Sequence, residues 1–223
     1  RKLGKAESRM AGDIVSMLEI LKKLGKNSDL ILGLNYSEAE QISEQLGTNR
    51  GGWYENTDTN EKYYIKFYEN FDQARAEFIA NAIYDKLGIN AAKSKFTNVE
   101  GEHAIASSEV LGAEGVYHDE LKQSADVKNG FIADAYLANW DVVGLVYDNI
   151  VKSSDGKMYR IDNGGALTFR AQGQAKEFSP NDIPELENMM NLDYPTGQVF
   201  SGLSMQELKL QAQHLVDTLK QKD

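Results

Sequence analysis

Asp141, Asp148, Asn149 and Asp162 are oxygen-bearing side chains clustered around one short stretch of the 223-residue chain. That stretch, Phe131–Ala166, reads FIADAYLANWDVVGLVYDNIVKSSDGKMYRIDNGGA. It opens as an apolar helix (Phe131, Ile132, Ala135, Tyr136, Ala138) and passes into a polar turn around Asn139 and Asp141. Two β-like runs follow, Asn149–Lys152 and Met158–Ile161, joined by the turn Ser153-Ser154-Asp155-Gly156. Asp162-Asn163-Gly164-Gly165 comes directly after. A tight hairpin brings its ends together, so Asn149 and Asp162 are expected to lie side by side. Two hard oxygen donors there suit a divalent cation such as Mg²⁺. Asp141 lies just outside the hairpin, free to orient a hydroxyl. One carboxylate for a nucleophile and an Asn–Asp pair for metal is a division of labour suited to phosphoryl transfer.

Such chemistry also needs a cation for phosphate oxygens. Lys66 stands near the end of the alternating run Glu61–Tyr68, which reads as a strand. Glu77 follows on a helix expected over residues 72–87, with Asp72 as cap, an apolar set of Ala74, Phe78, Ile79, Ala82, Ile83 and Leu87, and Gly88 as stop. A strand lysine braced by a helix glutamate holds the α- and β-phosphates in phosphotransferases. A lone Lys and a lone Glu are ordinarily solvated; the oxygen cluster downstream raises the functional reading above that one. Gly51 and Gly52 precede Trp53-Tyr54-Glu55 at the start of a hairpin. Their backbone amides are candidates to lie over phosphates, against the plainer reading of a turn.

The remaining elements position these groups. Residues 6–24 carry Met10, Ile14, Met17, Leu18, Leu21 and Leu24 at helical spacing, with Gly25 and Asn27 as a stop. That helix packs on the body or docks a partner domain. A second helix is expected over Glu38–Leu46, capped by Ser37 with Glu40 three residues on. Ile89–Phe96 and His103–Leu111 read as strands around the turn Glu100-Gly101-Glu102, and a short helix is expected near His118–Ser124. Leu167–Arg170 reads as a further strand and Gln172–Pro184 as a loop. Leu186–Leu192 reads as a short helix, Pro195 and Gly197 as breaks, and Ser204 as the start of a last helix to about Lys220.

The totals are those of a globular domain, with 41% hydrophobic and 26% charged residues. A net charge of −10 argues against a general nucleic-acid binder, which needs a basic face. There is no cysteine, hence no disulfide framework and no thiolate metal site. No apolar run approaches the roughly 20 residues of a membrane span, and no secretory signal is visible. The expected location is cytoplasmic, or a host cytosol after delivery. A first residue of Arg rather than Met is what a piece of a longer chain shows.

At Asn139–Asp141, Asp148-Asn149 and Arg160–Ala166 the sequence resembles the atypical kinases of the HipA, phosphatidylinositol 3/4-kinase and actin-fragmin kinase superfamily. Ile161-Asp162-Asn163-Gly164 is similar to the metal-Asp motif of type II phosphatidylinositol 4-kinases. The order GGWYE, YYIKFY, ARAEFIANAIYDKLG, NWDVVGLVYDN, RIDNGGA is similar to kinase-like domains of phage head-associated polyvalent proteins and of bacterial toxins or effectors. The resemblance implies an α+β, bilobal protein-kinase-like fold, with a small β-rich N-lobe holding one key helix and a mainly helical C-lobe. Residues 1–45 would be a helical extension, 46–111 the N-lobe and 112–223 the C-lobe. It implies ATP and Mg²⁺ as cofactors. Lys66 would contact the nucleotide phosphates, Glu77 would brace it, and Gly51, Gly52, Glu109 and Leu111 would hold the nucleotide, with Glu109–Leu111 as the hinge. Asp141 would orient the acceptor hydroxyl, and Asn149 and Asp162 would hold Mg²⁺. Two departures stand out. Asn139-Trp140-Asp141 replaces His-Arg-Asp, and the longer, apolar gap Val142–Tyr147 lets Asp148 share the role given to Asn149 or Asp141.

Three readings follow. The first is a protein Ser/Thr kinase. The second keeps the fold but takes a lipid head group or inositol phosphate, with Lys122, Lys128, Arg170 and Lys176 as acceptor-binding candidates. The third is a non-catalytic nucleotide-binding interaction module. His103, His118 and His214 show no metal-ligand spacing.

Overall fold

The computed structural model describes residues 39–47, 49–99, 102–179 and 182–220. The helix expected over 6–24, its docking role and most of the 1–45 extension lie outside the described residues. Ala39–Gln41 (β1), Gly51–Asn56 (β2), Lys62–Phe67 (β3), Ser94–Val99 (β4) and Glu102–Ser108 (β5) form an antiparallel five-stranded sheet in the order β1-β2-β3-β5-β4. Alternation along β3 divides its side chains between two faces. Ile65 packs with Ala104 and Ala106 on one face, while Lys66 is buried on the other. On that second face, Phe96 and Ile105 meet Ala74 and Phe78 of helix α1 (Phe71–Lys86).

The chain leaves the sheet after Ser108 and enters a second, three-stranded sheet built from Glu114–Gly115 (β6), Ile150–Lys152 (β7) and Met158–Arg160 (β8). Short helices α2 (His118–Gln123), α3 (Ala125–Lys128) and α4 (Phe131–Tyr136) lie between β6 and β7. After β8 come α5 (Glu185–Asn188), α6 (Pro195–Phe200) and the long α7 (Met205–Lys220). One apolar core runs through this part, with Phe131, Leu137, Ile150, Met189, Phe200 and Leu215 fully buried. Among the described residues no helix is long and apolar enough to cross a membrane.

The hairpin, the apolar helix before it and the last helix stand where the sequence puts them. Ser204 caps α7 in a capping-box exchange with Glu207, at the helix start the sequence indicates. Other expectations are corrected. The helix expected over Glu38–Leu46 is instead strand β1 followed by an irregular run. Its two large apolar residues, Ile42 and Leu46, are 46% and 73% exposed, so a helix there would have no apolar stripe to bury, while the edge of β2 offers backbone partners. Asn70, not Asp72, caps α1, accepting from Asp72 N at 2.9 Å. Ahead of β4 the strand expected from Ile89 is reduced to one parallel bridge, Ala91 with Arg160, made by Ala92 N to Arg160 O and Arg160 N to Asn90 O. Leu167 has φ of 57°, so Leu167–Arg170 turns rather than extends. The short helix is Glu185–Asn188, not Leu186–Leu192. Pro195 and Gly197 lie inside α6, because a first-turn proline lacks only an N–H that a helix start leaves unpaired.

Candidate active site

Lys66 projects from β3 between two carboxylates. Its Nζ lies 3.1 Å from Glu77 Oε1 on α1 and 2.9 Å from Asp162 Oδ1 just beyond β8. The Tyr68 hydroxyl donates a short hydrogen bond to the other oxygen of Glu77. Burial alone would push the Lys66 ammonium down, but the charges of Asp162 and Glu77 outweigh it and hold the lysine protonated well above its usual range. Burial raises the Glu77 carboxyl, against the pull of Lys66. Asp162 is lowered, chiefly by Lys66, and keeps about half its side chain open to the cavity, at 48% exposure.

A second cluster sits beside the first. Asn149 Nδ2 donates to the Asp141 carbonyl at 2.7 Å and to Asp141 Oδ2 at 3.2 Å. Ile161 N donates to Asn149 O at 3.1 Å, extending the β7–β8 ladder by one step and placing Asn149 next to the residue before Asp162. Burial raises the Asp141 carboxyl, and the Asp162 charge raises it further. Lys66, Asp148, Asn149 and Asp162 all line one cavity of about 270 Å³. Its apolar lining comes from Trp53, Tyr64, Ala92, Val110, Val151 and Ile161. Apolar walls leading to a few convergent charges are the usual make-up of a small-molecule site.

Gly51 and Gly52 are not part of that lining. Both lie inside β2, opposite Lys66 and Ile65. A β-carbon on Gly51 would meet the Ile65 carbonyl at 1.9 Å, and one on Gly52 the Ser43 carbonyl at 2.4 Å. Their smallness serves the close approach of neighbouring backbone. The loop ahead of them, with Leu46, Gly47 and Asn49, borders the cavity instead. Leu46 N reaches the Tyr64 hydroxyl at 3.0 Å, and Tyr64 packs edge-on against Trp53 at 5.4 Å. Glu109 and Leu111 flank Val110, which does line the cavity, but their own side chains border a neighbouring one.

Several residues the sequence reading passed over also converge here. Gln73, Glu77, Asn81 and Tyr84 recur every three or four positions along α1, so they share one face, and all are buried. Gln73 Nε2 reaches Gly164 O at 3.5 Å, and Asn81 Oδ1 accepts from Asn163 Nδ2 at 2.7 Å. Asn139 Nδ2 joins Asn163 Oδ1 at 2.8 Å to the Tyr84 hydroxyl at 3.1 Å. Tyr84 in turn donates to Asp134, which Arg160 grips through two nitrogens at 2.8 and 2.7 Å. The polar stripe of α1 therefore holds the segment Asp162–Gly164 from behind. Its spacing is visible in the sequence, but polar residues on a helix ordinarily face water.

Among the described residues no three His, Cys, Asp or Glu side chains are grouped to cage a metal. Asn149 and Asp162 offer two hard oxygens into the cavity instead. That donor set fits Mg²⁺, which takes one or two protein oxygens and completes its shell with water and phosphate.

No protein-family model matches the chain, and no curated protein matches it in sequence. Among solved structures the fold is similar to the Helicobacter pylori proinflammatory kinase CtkA, with a TM-score of 0.50 at 14% identity, over 82% of this chain and 81% of that one. At that identity the likeness is one of fold: a mixed α/β build with an antiparallel sheet and several helices.

Proposed function

We propose that this chain is an ATP- and Mg²⁺-dependent phosphotransferase of the atypical, bilobal kinase kind, passing the γ-phosphoryl group to a protein serine or threonine hydroxyl. The observation that carries the reading is the placement of Lys66, bonded at once to Glu77 and Asp162 in a cavity whose lining is otherwise largely apolar. The apolar walls suit an adenine. The Glu109 N–H is spent on Lys62 O and the Leu111 carbonyl on Ser154 N. That leaves the Glu109 carbonyl and the Leu111 N–H, with no partner among the described residues, for a base edge. Residues 46–111 would form one lobe and 112–223 the other.

In this reading Lys66 holds phosphate oxygens, with Glu77 and Tyr68 fixing its reach. Asn149 and Asp162, with Asp148 beside them, would hold Mg²⁺. When bound, the cation neutralises charge building on the phosphates. Asp141, steadied by Asn149, aligns the acceptor hydroxyl and takes its proton.

Labelled transfer from ATP to a panel of protein, lipid and inositol-phosphate acceptors tests the reading. Asp162→Ala is expected to cut transfer on the order of a hundredfold or more. Full transfer by that variant rejects the site. Transfer only to lipids or inositol phosphates moves the acceptor. Nucleotide binding without turnover makes the chain a binding module.

A further inference from the structure

The segment after Asp162 doubles back on itself. Arg170 N bonds Gln174 O at 2.7 Å, Phe169 bridges Ala175, and Lys176 N bonds Thr168 O at 2.8 Å. This return brings the Lys176 side chain beneath two turns at once. Its ammonium donates to the carbonyl of Ala138 and to the carbonyl of Gly165 at 2.6 Å. Ala138 belongs to the turn that carries Asp141, and Gly165 to the turn that follows Asp162.

The two turns also share apolar packing, with Leu137, Ala166 and Leu167 in one buried cluster, and two further polar bonds. Leu167 N donates to Leu137 O at 2.6 Å, and Asn139 bonds Asn163 at 2.8 Å. Ala138 holds φ of 50°, a left-handed conformation that a non-glycine residue adopts only under strain. The carbonyl that Lys176 takes therefore belongs to a strained residue, and an ammonium can bond two carbonyls where an apolar side chain bonds none.

Keeping a charged amine there is costly. Burial, with Arg170 adding to it, pulls the Lys176 pKa down to about 8, against the pull of Glu185 and Asp141. Lys176 also supplies positive charge near Asp141, opposing the burial and the Asp162 charge that raise that carboxyl. It does not line the nucleotide cavity.

We propose that Lys176 is a positioning residue for phosphoryl transfer: its ammonium ties the turn bearing Asp141 to the turn after Asp162, and so fixes the span between acceptor and phosphate. The role rests on the phosphotransferase reading. It acts on geometry and not on nucleotide binding, so the two are separable. Misplacement of a reacting group by an ångström is enough to cost about a hundredfold in rate.

Lys176→Met keeps the stem and removes both bonds. It is expected to lower kcat on the order of tenfold to a hundredfold. KM for ATP and the affinity for a non-hydrolysable analogue should stay within about twofold. Amide exchange should quicken in residues 137–142 and 163–168 and stay unchanged in the five-stranded sheet. Because the chain has no cysteine, Lys176→Cys can be alkylated selectively with bromoethylamine, which rebuilds an ammonium on a thioether stem. That treatment is expected to recover most of the lost kcat. Unchanged kcat in Lys176→Met, an equal loss of nucleotide affinity, or no recovery after alkylation overturns the role. A wild-type chain that binds the analogue but transfers nothing overturns the phosphotransferase reading, and the role with it.

Discussion

Lys66 is the side chain whose surroundings most constrain what the site does. Asp162 is depressed mainly by Lys66, so the stability this pair contributes is present above the unfolded carboxyl value near 4 and fades as pH falls through the lower folded value. Glu77 is raised by burial and held back by Lys66; with no lysine beside it, it takes up a proton at a still higher pH. Both effects have the same sign when wild type is compared with Lys66→Met. The variant's deficit in melting temperature is expected to be small near pH 3 and to widen toward pH 7. Thermal unfolding of both proteins across that range checks it, and a deficit independent of pH would falsify the ion-pair account. The order of a strand lysine before a helix glutamate is readable in the chain, because both positions follow from local periodicity. Tyr68 and Lys176 are not readable in that way. One acts through a hydroxyl on Glu77, and the other through backbone carbonyls, including one 38 residues away.

Strand β2 and helix α1 show how the elements bear on the site. The apolar pattern finds both elements but not what their small and polar residues touch. Gly51-Gly52 in sequence reads as a turn, plain or phosphate-facing; in the sheet, it lets β2 lie against β3 directly opposite Lys66. The two roles predict different outcomes. Gly51→Ala places a methyl against the Ile65 carbonyl and must move backbone beside Lys66. It is expected to destabilise by about 1–3 kcal/mol, as overpacking does, and to weaken nucleotide binding by shifting Lys66. Gly47→Ala adds a methyl with nothing within 4 Å and is expected to leave stability unchanged. Urea unfolding and titration with a non-hydrolysable ATP analogue read both effects. Equal stability in the two variants would remove the packing explanation. The polar stripe of α1 escaped the sequence reading for a related reason. Gln73, Asn81 and Tyr84 find partners 50 or more residues away, at Gly164, Asn163 and Asp134, and local periodicity holds no information about such pairings.

Across the whole molecule, Arg160 ties distant parts of the chain together. Its backbone bonds Asn90 and Ala92 in the connection ahead of β4. Its guanidinium grips Asp134 of α4, donates to Val127 O at 3.0 Å, and lies over the Tyr84 ring of α1 at 5.4 Å. A β-carbon on Gly130 would meet it at 2.2 Å, so the chain there is fitted to the arginine. Both charged partners are at most 1% exposed. Nothing in the local pattern of Met158–Arg160 marks the residue as buried, since arginine ordinarily stays at the surface. Arg160→Met leaves Asp134 buried without its counter-ion, with only the Tyr84 hydroxyl bonded to it, and is expected to cost about 3–5 kcal/mol. Replacing both partners with apolar residues often restores such a loss, so Arg160→Met with Asp134→Leu is expected to regain much of it. Arg160 also lies two residues before Asp162, and Asp134 anchors the hydroxyl of Tyr84, which holds Asn139. The double variant should therefore be stable yet slow in phosphoryl transfer, because the links that set Asp141 and Asp162 are gone while the fold is kept. Urea midpoints and transfer rates for the two single variants and the double close the cycle. A double variant that recovers rate along with stability would reduce Arg160 and Asp134 to a packing pair with no part in placing the site.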